Sequence, residues 1–410
     1  MTQFARITPE DRPIRVLQVL NQYMEIGGEE VWVDKMSSLG LGFVEFHDLR
    51  FHSRAWKGRG SPGFFRQAFW IGNNPNSRQR LREEIASVNP DVLIFHNLIP
   101  VASFGLYIEA AQHGIPVIQY IHNFRPFSPS GTLWIQNKVD PRPLHGNMLP
   151  EILAGSWERS RLKTALLSLH LFLLQKSGKL DTVTRWIAVS EFMRDKFVEA
   201  GIPAHKVVTL RHCWSVEGQL QSQSESDHYL FLGRLVPEKG VFTLLDAWEI
   251  LEAQLGEACP KLILAGTGPE EARLHVWASK LAKVECIGFV SGERKQHLIR
   301  TSRGLIAPSI WWEPLGLIVY EAYEASRPVI ASGSGGLTET VIPGSTGYLH
   351  EPGNPRSLAE CVTLMESAGP AKRAQMGQNG HDWLLCNATP AQWIREFITI
   401  LKSNRSNLLI

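Results

Sequence analysis

The sequence predicts an α/β protein with two domains, each a parallel sheet covered by helices on both faces. In both halves of the chain, short apolar runs alternate with stretches of helical periodicity, as in repeated strand–helix–strand units. The 410 residues are enough for two domains with separate cores. Residues 215–227 are polar and almost free of apolar side chains, which indicates a linker. We therefore expect two Rossmann-like domains whose sheets face a central cleft.

The strands are predicted from short apolar runs bounded by turn residues. In the first half they are residues 15–20, 90–96, 116–123 and 186–189, and residues 207–210 close this half. In the second half they are residues 229–232, 261–265, 284–287, 304–307 and 328–331. A helix is predicted from about Glu29, with helical and loop material after it. Ser190 is placed to cap the helix that follows its strand.

Residues 156–180 form a long predicted helix with several basic side chains near its ends. One of its faces carries Leu162, Ala165, Leu166, Leu169, Phe172 and Leu173. Such a helix could lie on a membrane surface. Packing of this face against the core is the stronger expectation, because core helices often carry charged ends.

The charge of the chain is small and unevenly divided. A formal net charge of +2 excludes a typical nucleic-acid-binding protein. Residues 1–212 hold 25 Lys and Arg against 19 Asp and Glu, whereas the remainder holds 17 against 21. Five widely spaced cysteines indicate reduced thiols, and no run is apolar enough for a signal peptide or a membrane span. We expect a cytoplasmic protein with peripheral contact at the inner face of a membrane.

Residues 304–326 contain the most informative motif. Residues 304–307 predict a buried strand, and a helix is predicted to begin near Pro314–Gly316. The free N–H groups at a helix start suit an anion. Glu313 and Glu321 flank this point, and carboxylates suit hydroxyl groups better than phosphate. A ligand with phosphate between hydroxyl groups, such as a nucleotide sugar, fits this pattern.

A second motif lies at residues 231–240, where a strand leads through a glycine-bearing turn into a helix. The turn carries Arg234 and Lys239, five residues apart. A forked guanidinium and a mobile ammonium at such a turn suit a diphosphate. The chain has no Asp-x-Asp pair. We therefore expect no metal and no cofactor besides the nucleotide-diphosphate sugar itself.

Together, the Gly-Arg-x4-Lys-Gly turn and the Glu-x7-Glu motif resemble those of the retaining glycosyltransferases of family four, which have the GT-B fold. The resemblance covers residues 229–350 well and 14–402 loosely. It implies an acceptor-side domain over 1–212, a linker over 213–228 and a nucleotide-sugar-binding domain over 229–388. A last helix over 389–410 would cross back to the first domain.

The resemblance also implies residue roles on the donor side. Arg234 and Lys239 would neutralise the diphosphate leaving group, Glu313 would orient the donor sugar, and Glu321 would hold the ribose. The other expected donor-binding residues are Gly27, Gly28, Gly233, Gly266, Phe289, Val290, Leu315, Gly316 and Leu317.

On the acceptor side, His96, His122 and Asn123 stand at predicted strand ends, where parallel sheets bind ligands. Residues 121–126, which include Arg125, resemble the acceptor loop of relatives that build bacterial polysaccharides. Those relatives usually continue into Cys-Pro, whereas Phe-Ser-Pro follows here. We predict that His122 orients hydroxyl groups, and that the acceptor is a glycan or a polyprenyl-diphosphate-linked glycan.

A basic and aromatic stretch of the first half is expected to meet an anionic membrane surface. It contains Arg54, Lys57 and Arg59 beside aromatic residues that we expect to be exposed: Trp56, Phe64, Phe65, Phe69 and Trp70. Two other functions remain open from the sequence. One is a nucleotide-sugar epimerase or phosphorolytic enzyme of the same fold, and the other is a non-catalytic nucleotide-sugar-binding subunit.

Overall fold

The computed structural model describes residues 12–24, 27–39, 42–216 and 227–406. Most of the predicted linker lies outside these residues. The first domain has strands β1 (Ile14–Gln22), β2 (Val44–His52), β3 (Val92–Phe95), β4 (Val117–Ile121), β5 (Trp134–Ile135), β6 (Lys138–Val139), β7 (Val183–Ala188) and β8 (Val207–Thr209). Its helices are α1 (Gly28–Ser38), α2 (Phe64–Trp70), α3 (Pro75–Val88), α4 (Gly105–His113), α5 (Leu149–Ala154), α6 (Arg161–Lys176) and α7 (Glu191–Glu199).

The second domain repeats the alternation of strands and helices. Its strands are β9 (His228–Leu232), β10 (Lys261–Ala265), β11 (Val284–Gly288), β12 (Gly304–Ala307), β13 (Val329–Ser332) and β14 (Gly347–His350). Its helices are α8 (Val241–Leu255), α9 (Glu271–Ala278), α10 (Gly292–Thr301), α11 (Leu317–Glu324), α12 (Leu337–Thr340) and α13 (Pro355–Asn387), followed by α14 (Pro390–Ser406). Helix α13 is interrupted at Gly369, which has non-helical backbone angles, and Pro370 follows it.

Each domain contains a parallel sheet, as the sequence predicts, and each of these sheets has six strands. The spatial orders are β2-β1-β3-β4-β7-β8 and β11-β10-β9-β12-β13-β14. In both sheets the chain first builds outward on one side and then crosses to the other, at β1/β3 and at β9/β12. Ligands of such sheets bind at the carboxyl ends of the strands near this switch point.

Strand β2 corrects the prediction of helical and loop material after α1. It pairs in parallel with β1 along its whole length, from Val44 opposite Ile14 to His52 opposite Gln22. As an edge strand it is partly exposed, so polar residues such as Asp48 interrupt its apolar pattern. This polarity hid the strand from pattern reasoning.

Helix α6 corrects a second expectation. The buried side chains of this helix include Leu167, Leu171 and Leu174. The face predicted to pack on the core is turned outward, with Leu162 60% exposed and Leu169 53% exposed. The helix therefore has two apolar stripes, and only one of them can face the core.

The two domains contact each other directly beside the cleft. Ser190, which caps α7 in the first domain as predicted, also donates its hydroxyl to the Pro314 carbonyl oxygen at 2.7 Å. Glu339 of the second domain accepts the backbone N–H of Phe192 at 2.6 Å and pairs with Arg211. These bonds hold the first domain, at the start of α7 and at Arg211, against the loop that precedes α11 and against α12.

Helix α14 returns from the second domain to the first. The Trp393 and Trp32 ring centroids are 5.4 Å apart, and those of Phe397 and Phe46 are 6.0 Å apart. Trp393 and Phe397 are both buried. The last helix thus completes the core of the first domain. No helix in the described part of the chain has the length and apolar character that crossing a membrane requires.

Candidate active site

A cavity of about 1090 Å³ lies between the two domains, where the carboxyl ends of both sheets meet. The first domain lines it with residues that follow β1 and β4, and the second with residues that follow β9 and β12. The predicted site residues on its walls are Gly27, Gly28, His122, Asn123, Arg125, Arg234, Lys239, Glu313, Leu315, Gly316 and Leu317. The structure thus brings both sequence motifs and the acceptor loop to one cleft.

Lys239 and Glu313, predicted from separate motifs, form an ion pair. Lys239 Nζ lies 2.6 Å from Glu313 Oε2, and the same oxygen accepts hydrogen bonds from Ser309 Oγ and Trp311 Nε1 at 3.0 Å each. Burial alone would raise the pKa of Glu313, but the Lys239 charge and these hydrogen bonds outweigh it and lower the pKa. The carboxylate is therefore ionised, and a diphosphate must compete with it for the lysine.

Arg234 is held less tightly than Lys239. Its side chain is 62% exposed, and Arg234 Nη2 lies 4.0 Å from Glu238 Oε1. An exposed pair at this distance contributes little to stability. Arg234 is therefore the cation of the turn that can reach a bound anion at low cost.

The start of α11 is built by glycines. Gly316, the residue before the helix, has φ +82°, and a Cβ atom there would lie 2.5 Å from Leu337 Cδ2. Gly335 lies so close to the Glu313 loop that a Cβ atom would be 2.2 Å from the Glu313 carbonyl oxygen. Gly336 N–H donates to that oxygen at 2.7 Å. The glycine-rich turn at 332–336 therefore approaches the Glu313 loop closely and supports it.

Glu321 is not among the residues that line the cavity. Its carboxylate Oε2 lies 2.7 Å from Lys295 Nζ on α10, a partner that the motif did not indicate. The expected ribose contact of Glu321 stays a prediction. A ribose would reach this carboxylate beside a lysine.

Four other predicted donor-side residues also lie outside the cavity wall. A Cβ atom on Gly266 would lie 1.8 Å from the Gly233 carbonyl oxygen, so these glycines allow two strand-end turns to touch. Phe289 is 70% exposed, whereas Val290 is buried. Their expected contacts with the nucleotide stay predictions.

On the first-domain wall, His122 ends a chain of hydrogen bonds. His122 Nε2 lies 2.9 Å from His96 Nδ1, and His96 Nε2 lies 3.1 Å from Gln18 Oε1. Gln18 Nε2 in turn donates to Asp48 Oδ1 at 3.1 Å. Burial holds the pKa of His96 well below its ordinary value and lowers that of His122 to about 3, so both rings are neutral.

This series of hydrogen bonds determines which imidazole nitrogens of His96 and His122 carry protons. Because Asp48 accepts from the Gln18 amide nitrogen, the Gln18 oxygen faces His96, whose Nε2 must then donate. His96 Nδ1 is left as an acceptor, so His122 Nε2 donates to it. His122 Nδ1 is therefore the acceptor nitrogen of a ring that lines the cavity.

The acceptor loop places Asn123 and Arg125 together. Asn123 Oδ1 accepts the Arg125 backbone N–H at 2.9 Å. The Arg125 guanidinium lies 4.8 Å from the Trp157 ring centroid, a cation–π contact. His96, by contrast, is buried behind His122 and acts on the cavity only through it.

Glu29 is a cavity residue that sequence reasoning missed. It follows the glycine pair directly, which is the one signal that could have indicated it. Its carboxylate accepts the Asn97 backbone N–H at 2.8 Å, and burial raises its pKa to about 7. The neighbouring Glu30 instead holds the glycine loop, accepting the N–H groups of Gly27 at 2.9 Å and Tyr23 at 3.0 Å.

The sequence and the structure of this chain were compared with those of known proteins, and the matches are to glycosyltransferases. Residues 215–383 match a family model described as Glycosyl transferases group 1, and residues 47–213 match one described as Glycosyltransferase Family 4. The structure of Anabaena HepE in complex with UDP and glucose superposes with a TM-score of 0.64 at 17% identity, covering 95% of this chain and 100% of that one. The chain has the GT-B fold, and each of its two domains matches a glycosyltransferase family model. Among the described residues, no group of three or more His, Cys, Asp or Glu is placed to hold a metal ion.

Three sequence relatives show how far the likeness in sequence extends. The alpha-D-kanosaminyltransferase of Streptomyces kanamyceticus is 25% identical over 76% of this chain and 75% of its own length. An uncharacterized glycosyltransferase of Methanocaldococcus jannaschii is 31% identical over 40% of this chain. The alignment spans 45% of the length of that archaeal protein and 35% of the length of a second uncharacterized glycosyltransferase from the same organism.

Proposed function

We propose that the chain is a retaining glycosyltransferase that moves a sugar from a nucleotide-diphosphate sugar to a hydroxyl group of a glycan. The observation that carries this proposal is the composition of the cavity wall. Arg234, Lys239 and the start of α11 line it from the second domain, and His122 lines it from the first. Cations and a helix N-terminus suit the diphosphate, and a neutral imidazole suits a sugar hydroxyl.

The proposed reaction breaks the bond between the anomeric carbon and the β-phosphate oxygen of the donor. The acceptor oxygen attacks the same face of the sugar, and its proton passes to the departing phosphate oxygen. Negative charge grows on the diphosphate as the bond breaks, so Arg234 and Lys239 stabilise the transition state more than the ground state. The proposed reaction uses no metal ion.

Glu313 has two tasks in this scheme. Before the donor binds, its carboxylate neutralises Lys239 inside the cleft. Once the diphosphate takes the lysine, the carboxylate becomes free to accept hydrogen bonds from the donor sugar. His122 Nδ1 accepts a further hydroxyl from the opposite wall, so the sugar is oriented from both domains.

The acceptor that we propose is a glycan carried on polyprenyl diphosphate, used in the synthesis of bacterial cell-surface polysaccharide. Arg125 on the first-domain wall supports an acceptor with an anionic group. Such an acceptor places the enzyme in the cytoplasm, in peripheral contact with the inner face of the membrane.

Mass spectrometry after incubation with UDP-, GDP- and ADP-sugars tests the function. UDP-sugars come first, because solved GT-B neighbours contain UDP and UDP-glucose. Sugar addition to an acceptor, with NMR showing the donor's anomeric configuration in the product, supports the proposal. Conversion of the donor without any acceptor indicates an epimerase. Tight donor binding without turnover on any acceptor indicates a binding subunit.

A further inference from the structure

Three neighbouring helices of the first domain, α2, α5 and α6, expose an unusual amount of apolar surface. Of the seventeen large apolar side chains that are exposed in the described part of the chain, nine lie on these helices. They are Phe64, Phe65, Phe69, Leu149, Leu153, Leu162, Leu169, Phe172 and Leu173, and we call them the apolar face. Contiguous apolar patches of this kind mark interaction sites on proteins.

The spacing within each helix shows that the apolar face is organised. Leu149 and Leu153 are four residues apart on α5, and Leu162, Leu169 and Leu173 follow one side of α6. Phe65 and Phe69 are likewise four residues apart on α2, and they are 86% and 67% exposed. Each helix thus points a row of apolar side chains away from the core.

Hydrogen bonds hold the three helices in one surface. His170 Nε2 on α6 donates to the Ala68 carbonyl oxygen on α2 at 2.7 Å. Arg161 Nε, at the start of α6, donates to the Leu153 carbonyl oxygen on α5 at 2.9 Å. The apolar face is therefore a fixed feature of the first domain.

The same part of the chain is strongly basic. Residues 53–70 and 149–179 contain nine Lys and Arg but only two acidic residues. Of the two acids, Glu151 is buried, and Glu158 pairs with Lys57 at 2.5 Å and Lys163 at 2.6 Å. The remaining cations are Arg54, Arg59, Arg66, Arg159, Arg161, Lys176 and Lys179. A positive border around exposed apolar side chains matches an anionic lipid surface in both charge and polarity.

The interdomain cavity adjoins this surface. Phe64 and Gln67 of α2 and Lys163 and Leu166 of α6 are among the residues that line it. A group held at the membrane surface would therefore reach the cavity without crossing a large polar exterior.

We propose that the apolar face docks the protein on an anionic lipid bilayer, with the cavity mouth next to the headgroups. A second copy of this chain fits the face less well, because a twofold contact would bring two basic borders together. Trp56, which the sequence predicted to be exposed, is buried and does not join the face, whereas the exposed Phe65 and Phe69 insert into the bilayer. Delivery of a lipid-linked acceptor by this route rests on the proposed function, but the docking itself does not.

Vesicle sedimentation of the full chain without nucleotide tests the docking. The vesicles contain phosphatidylcholine alone or mixed with phosphatidylglycerol, at low and high salt. Two double variants remove apolar side chains from different helices: Phe65→Ser with Phe69→Ser, and Leu169→Ser with Leu173→Ser. The control is Val276→Ser with Leu364→Ser, which changes side chains of the second domain that are 63% and 53% exposed.

We expect the wild type to bind mixed vesicles at low salt and to lose binding as salt rises. Each face variant should lower the partition coefficient at least tenfold, which corresponds to about 1.4 kcal/mol. The control should bind like the wild type. Equal loss in the control, or unchanged binding in both face variants, overturns the proposal.

Two further measurements separate the other outcomes. If sedimentation velocity shows a dimer that the Leu169→Ser, Leu173→Ser variant dissociates, and no vesicles bind, the face joins two copies and the membrane proposal is wrong. Transfer to a water-soluble acceptor should be equal in the wild type and the face variants. Vesicle binding in a wild type that transfers no sugar leaves the docking standing and refutes the proposed function.

Discussion

Replacing Glu313 by glutamine separates binding of the diphosphate from transfer of the sugar. The Lys239 and Glu313 side chains are 23% and 13% exposed, and their charged atoms are 2.6 Å apart. A charge-assisted contact of this kind contributes about 1.5–3 kcal/mol. In Glu313→Gln the lysine keeps its charge but loses its carboxylate, so we expect the free protein to melt at a lower temperature.

A nucleoside diphosphate restores a negative partner to that lysine. We therefore expect Glu313→Gln to bind the nucleoside diphosphate of its donor at least about tenfold more tightly than the wild type does. The nucleotide is UDP if the base of the donor is uracil, and GDP or ADP for the other bases. The thermal shift on nucleotide binding should grow, while kcat for transfer falls because the sugar loses its carboxylate. Calorimetry and melting curves measure the first two effects, and a transfer assay measures the third.

The matched control is Ser309→Ala, which removes a neutral donor to the same carboxylate oxygen. It should change nucleotide affinity less than threefold, since it leaves both charges in place. Nucleotide affinity that is unchanged or weaker in Glu313→Gln would show that the ion pair does not compete with the diphosphate, and the reasoning would fail.

The remaining predictions concern other parts of the cleft. Arg234→Ala should lower kcat/KM at least tenfold without changing the melting temperature, because the side chain is largely exposed; full activity would exclude Arg234 from the diphosphate site. Gln18→Leu removes the hydrogen bond that fixes the tautomers of His96 and His122, so it should lower kcat about tenfold while nucleotide affinity stays constant. Loss of nucleotide affinity would instead indicate that the substitution disturbs the fold of the domain. Burial raises the pKa of Glu29 from 4.5 to about 7, so the folded protein binds the proton more tightly than the unfolded chain and loses stability as pH rises through this range. The free energy of unfolding of Glu29→Gln relative to the wild type, measured in urea, should therefore rise by up to about 3 kcal/mol between pH 4.5 and 8. A fall over this pH range would contradict the raised pKa of Glu29. EDTA should leave transfer unchanged, and activity that returns only with added Mg²⁺ or Mn²⁺ would refute the metal-free scheme.

The sheets could be predicted from the sequence because their central strands are short and almost wholly apolar. Strands β10 and β12 were predicted with the bounds that the structure has. Strand β2 was missed because an edge strand tolerates polar residues, so the pattern that identifies a buried strand is absent.

The candidate site was predictable as a set of residues but not as a set of contacts. The motifs indicated Lys239 and Glu313 separately, and only the fold shows that they neutralise each other. The partner of Glu321, Lys295, lies on another helix and belongs to no motif. The outward face of α6 was predicted wrongly because the sequence alone does not distinguish which of two apolar stripes on one helix is packed into the core.

The return of α14 to the first domain affects the order in which the protein can fold during synthesis. Trp393 and Phe397 complete packing around Trp32 and Phe46, yet more than three hundred and forty residues separate Phe46 from them. While the ribosome synthesises the second domain, the α14 residues that cover this aromatic surface of the first domain have not yet been made. The nascent first domain therefore waits, with that surface exposed to chaperones or to neighbouring chains, until the last helix leaves the exit tunnel.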